Sequence, residues 1–145
     1  MLNRRILRIK AFKVLYANIL AGNSTLEHAE SQLDQACEAT RDLYLYMLSV
    51  VPSLTQIAKD RIEAAKTKLR PTEEDLNPNM KFAENALAKL IAEDVDLNKL
   101  LAKKKFSWAQ YDLILKKVMT SVASKEYFQK YMASENCSLA EDCKL

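Results

Sequence analysis

One glycine, three prolines and one histidine among 145 residues exclude several kinds of chemistry at once. With Gly22 alone there is no G-x-G-x-x-G turn, no Walker loop and no G-x-S-x-G elbow, because each needs backbone freedom that only glycine supplies cheaply. His28 has no second histidine to share a metal with, and Cys37, Cys137 and Cys143 lack C-x-x-C spacing, so no tetrahedral zinc site and no other cofactor is expected. An odd cysteine count without a secretory segment reads as reduced thiols in the cytoplasm. The scarcity of Gly and Pro also argues against disorder. A chain of this length buries roughly 70% of the surface that its unfolded form exposes, enough to fold as one domain over residues 1–145.

No long apolar run is present either. The longest uncharged stretch, Leu43 to Ala58, is shorter than the ~20 apolar residues that span a bilayer, and it contains Ser49, Pro52, Ser53, Thr55 and Gln56. Lys10 and Lys13 interrupt what would be the apolar core of a secretory signal. No membrane association is expected. Acidic residues are missing from one region only. Arg4, Arg5, Arg8, Lys10 and Lys13 precede the first acid, Glu27, and the remainder carries 17 basic and 19 acidic residues. The cationic character is therefore local, as a polyanion-binding end requires.

What is present is helical periodicity, which predicts an all-α fold. Asn3 caps a helix running to about Ala21, stopped by Gly22 and Asn23. Ser24 and Glu27 have capping-box spacing and open a second helix striped by Leu26, Ala29, Leu33, Ala36, Cys37, Thr40, Tyr44, Met47 and Leu48, ending or kinking at Pro52. A third stripe runs through Leu54, Ile57, Ala58, Ile62, Ala65 and Leu69. Residues 71–79, PTEEDLNPN, read as a polar loop. Asn79 is expected to cap a helix that turns Phe82, Ala86, Leu87, Leu90 and Ile91 inward. Shorter helices follow around Leu97 to Lys104, from Ser107 through Trp108, Tyr111, Leu115, Val118, Met119 and Val122, and across Tyr127, Phe128, Tyr131 and Met132. Ser138 and Glu141 repeat the capping spacing one turn before Leu145; a helix that short is not stable alone, so the natural chain is expected to continue.

The informative stretch is Arg4 to Ala17, RRILRIKAFKVLYA. At 100° per residue Leu7, Ala11, Val14, Leu15 and Asn18 form a packing face, Arg5, Arg8, Phe12 and Tyr16 line a neighbouring flank, and Lys10 and Lys13 project on the other. Guanidinium groups and rings alternate along roughly 16 Å of helix. Single-stranded RNA offers phosphates to the first and unstacked base faces to the second. Two other readings of these residues stand beside this one: an organelle presequence, and a solvated helix face with Phe12 and Tyr16 in the core.

The pattern RR-x-x-R-x-x-A-F-x-V-L-Y-A, at Arg4, Arg5, Arg8, Ala11, Phe12, Val14, Leu15, Tyr16 and Ala17, resembles the opening helix of the NusB transcription antitermination family. Weaker similarity, with a long insertion around the third helix and the 71–79 loop, is to the extended NusB proteins of Bacteroides-like bacteria. The resemblance covers the N-terminal part of that family's helical bundle. Lys13 stands where the family usually has Gln, and the family's L-R-x-A-x-x-E-L and N-E-A-style helices are absent from these residues.

The resemblance implies a non-catalytic RNA-binding protein that joins the ribosomal protein NusE on boxA-like RNA of ribosomal transcripts, within the transcription elongation complex. It assigns RNA contact to Arg4, Arg5, Arg8, Phe12, Lys13 and Tyr16. Two further functions compete: a NusB-like accessory domain of a ribosomal RNA cytosine methyltransferase, and a helical adaptor with no RNA role.

Elsewhere, Lys103, Lys104, Lys105, Phe106, Trp108, Lys116 and Lys117 form a second basic and aromatic group. Its tryptophan is expected in the core, while its lysines could extend a phosphate track. Glu73, Glu74 and Asp75 are expected to be solvated, His28 to lie at the surface, and Cys37 to act as a small buried hydrophobe.

Overall fold

The computed structural model describes residues 3–22, 25–136 and 138–145; Asn23, Ser24 and Cys137, which figure in the expectations above, lie outside them. The chain is all-α: 76% of it is helical, with no strand among the described residues. By its internal contacts it divides into two compact units, residues 1–45 and 46–145.

The first unit is an antiparallel pair of helices. In α1 (Arg4–Ala21) the Asn3 side chain accepts the Ile6 N–H at 2.8 Å, and Gly22 ends the helix with φ +72°, donating its N–H to the Asn18 carbonyl. That left-handed backbone is where glycine's missing Cβ is needed. Thr25 opens α2 (Leu26–Leu48), its Oγ1 accepting the His28 N–H at 3.3 Å. The helices are tied by Asn18 Nδ2 donating to Gln32 Oε1 and by Lys10 Nζ donating to the Ala36 carbonyl at 2.7 Å. Along α1 no residue is fully buried, and Leu7 and Leu15, expected on its packing face, are exposed; Ala11, Val14 and Asn18 are half-buried.

The second unit holds the core. The helix break falls at Ser49, three residues before Pro52, so that the proline sits in the first turn of α3 (Val50–Lys66), where its missing N–H leaves no hydrogen bond unmade. Leu69, placed on this stripe by periodicity, lies past the helix end and is fully exposed.

The stretch expected as a plain loop contains a helical turn, α4 (Glu73–Leu76). Thr72 and Asp75 form a reciprocal capping box, and Lys68 Nζ pairs with Asp75 at 2.9 Å. Asp75 is therefore engaged rather than merely solvated, while Glu73 and Glu74 are exposed. The Thr72 backbone N–H, and after it the Lys68 ammonium, hold the Asp75 carboxyl below its ordinary range. A depressed carboxylate supports the fold above its unfolded value and ceases to as pH falls through the folded one, so α4 loosens only in acid.

The next helix starts later than expected. In α5 (Ala86–Glu93) the cap is Asn85, which accepts the Ala88 N–H at 2.9 Å. Asn79 instead donates to the Met132 carbonyl and accepts the Lys81 N–H. Phe82 and Ala83 enter the core from a turn, and Leu90, expected inside, is exposed. Asp94 then caps α6 (Val95–Lys104). A 3₁₀ turn at Ala109–Tyr111 leads into α7 (Asp112–Ala123), followed by α8 (Glu126–Ala133) and α9 (Leu139–Asp142). The core of this unit is Ile57, Ala58, Phe82, Ala83, Leu115, Met119, Phe128 and Tyr131.

α9 is too short to hold itself, but Asp142 anchors it. Its carboxylate, nearly buried, accepts the Tyr131 hydroxyl at 2.6 Å and the Ala86 N–H at 2.8 Å.

At the end of α6, Lys105 adopts φ +57°, ψ +35°, and the Lys105 and Phe106 N–H groups close the helix onto the Ala102 and Leu101 carbonyls. This conformation burdens any residue with a Cβ. Lys105→Gly should therefore raise unfolding stability by about 0.5–1 kcal/mol after the entropic cost of glycine. Urea denaturation checks this, and a decrease would show that the lysine side chain makes a larger contribution of its own.

Candidate nucleic-acid interface

α1 positions the N-terminal residues by periodicity alone. Arg8, Phe12 and Tyr16 form one i, i+4, i+8 row, Arg5 lies beside it, and Arg4 begins the same flank. All five are exposed. Phe12 is 68% and Tyr16 56% accessible, so neither is a core residue. Their rings are nearly parallel, with an interplanar angle of 15° and centroids 6.1 Å apart.

One of the two lysines differs from what is expected of it. Lys10 does not project; its ammonium is turned onto α2 by the bond to Ala36, because its position borders the face that packs there. Lys13 is exposed but sits apart from the arginine row, lining a shallow groove of about 340 Å³ with Ile6, Ile9, Lys10, Val14, Ala36 and Thr40. The structure thus brings five of the six proposed contact residues onto one flank and sets Lys13 around the helix from them. Ile19 and Leu20, exposed beyond Tyr16, were not singled out by sequence, since periodicity gives a face but not whether anything covers it.

The second basic and aromatic group separates into parts. Trp108 is half-buried, stacked on Tyr46 at 4.3 Å and 5°, with its indole N–H donated to the Tyr46 carbonyl and Ser49 Oγ. Phe106 packs on the same tyrosine. Burial, then Tyr111, pushes the Tyr46 phenol up, so it stays protonated and donates to the Ser107 carbonyl. Lys116 is paired with Asp112 at 2.6 Å. Lys103, Lys104, Lys105 and Lys117 are exposed, but no ring stands free among them as Phe12 and Tyr16 do.

The remaining candidates gather no chemistry. His28 is exposed beside Gln32, Cys37 is half-buried and Cys143 exposed. Among the described residues no three His, Cys, Asp or Glu side chains come together as metal ligands would, and no helix is long and apolar enough to cross a membrane. No protein-family model, curated protein or solved structure matches this chain.

Proposed function

We propose that the chain is a non-catalytic, NusB-like antitermination factor that binds single-stranded, boxA-like RNA of ribosomal transcripts through α1, together with NusE in the transcription elongation complex. One observation carries this reading: on a helix without acidic residues, two large rings stand exposed in the same row as arginines. A planar guanidinium bonds phosphate through two N–H groups, and an uncovered ring offers a stacking face to any base. Exposed rings occur elsewhere on the chain, at Tyr44 and Tyr127, but the two in one row with arginines match what a strand of RNA offers.

Lys10 is committed to the helix pair, which leaves Arg4, Arg5, Arg8 and Lys13 for phosphates. Four contacts at roughly 0.7 each give a slope of log K against log salt of about −3. Anisotropy titrations with a boxA-like RNA, with and without NusE, should show that slope. Arg5→Ala and Arg8→Ala should each weaken binding and flatten it by about 0.7. Affinity independent of salt, or full affinity in both variants with folding intact, would discard the assigned surface.

A further inference from the structure

We infer that Phe12 and Tyr16 act as a clamp for a single nucleobase, which inserts between the two rings rather than lying on either one alone. This rests on the RNA reading above and adds a mode of contact and a stoichiometry to it.

The geometry is that of an exposed, near-parallel ring pair. The rings are four residues apart on one helix, within 15° of parallel, with centroids 6.1 Å apart. One stacked base needs about 3.4 Å on each side, so a ring-base-ring sandwich spans roughly 7 Å. The centroid distance is shorter than that, so the rings must part to admit a base, by rotation about their side-chain torsions. Both side chains are free to make that adjustment, being 68% and 56% exposed. A pair held in a core could not open.

The surroundings choose the occupant. Arg8 lies one turn N-terminal to Phe12 in the same row, Arg5 beside it, and no acid occurs anywhere from Asn3 to Leu26. A planar, uncharged ring attached to an anionic strand matches a slot between parallel rings flanked by guanidinium groups. Aliphatic side chains or acyl chains would gain nothing from the parallel planes; the apolar end of α1, at Ile19 and Leu20, suits them better. The slot selects a π face, not a hydrogen-bond pattern, so it accepts any base and confers position rather than identity.

The test is whether the rings act as one unit. Phe12→Leu, Tyr16→Leu and the double variant keep helix propensity, and circular dichroism on the full chain verifies that α1 persists. The probe is a single-stranded RNA of about 12 nucleotides with one 2-aminopurine, moved along the strand in a series of oligonucleotides. Expected are a loss of about 10-fold or more in affinity for each single variant, about the same loss for the double, and a strong quench of 2-aminopurine at one position that either single variant removes. Tyr16→Phe should retain both affinity and quench. Losses that multiply, to about 100-fold in the double variant, would overturn the clamp in favour of two independent stacking faces. No loss in either ring variant, while Arg5→Ala and Arg8→Ala still weaken binding, would overturn the clamp and leave the phosphate surface standing. Absence of RNA binding by the unaltered chain would overturn both.

Discussion

Phe128→Ala should destabilise the second unit by about 3–5 kcal/mol, the cost of emptying a buried aromatic site. Phe128 is only 6% exposed, meets Phe82 edge-on at 5.2 Å and neighbours Tyr131, so truncation removes contacts on more than one side. For a unit of this size each kcal/mol corresponds to about 4–8 °C, and the melting temperature should fall by more than about 10 °C. The measurement has a built-in reporter. The single tryptophan, Trp108, belongs to the same unit and is stacked on Tyr46, so its emission follows the unfolding of that unit. A loss below about 1 kcal/mol would mean that the pocket around Phe128 closes over the missing ring.

Asp142→Ala should cost about 3 kcal/mol, although it removes one small side chain three residues before Leu145. The carboxylate accepts two donors, the Tyr131 hydroxyl and the Ala86 N–H at the start of α5. Hydrogen bonds to a charged group contribute about 1.5–3 kcal/mol each, and donors left unsatisfied in a buried site add to the loss. The Tyr131 oxygen meanwhile accepts Asn85 Nδ2 at 3.3 Å, so its proton is directed to Asp142. Asp142→Asn should recover little, because an amide offers one acceptor where two donors converge. Combining Asp142→Ala with Tyr131→Phe should cost less than the sum of the two, with a coupling of about 1–3 kcal/mol by denaturation. Strict additivity would show that the two side chains contribute independently.

The pattern of residues established the all-α class, the limits of α1 and the composition of its basic and aromatic flank, because those features are local. Asn3 and Gly22 act within one helical turn, and a 3.6-residue period places Arg5, Arg8, Phe12 and Tyr16 together whatever lies around them. The Thr72 and Asp75 box was equally local, but its flanking prolines and polar residues made it read as loop.

Other outcomes depended on partners far away in sequence. Asn79 and Asn85 are the same residue type before the same apolar run, yet only Asn85 caps a helix, since the amide of Asn79 is drawn to the carbonyl of Met132. Lys10 and Lys13 share one charge, and only Lys10 is spent on a backbone carbonyl of α2. α9 persists at a length that fails in isolation because a buried carboxylate bonds Tyr131 and Ala86. Phe12 and Phe82 are alike as letters in a helical pattern, but one stands open beside Tyr16 and the other is closed over by Phe128. Burial depends on what else arrives at a face, and that is decided by the tertiary structure.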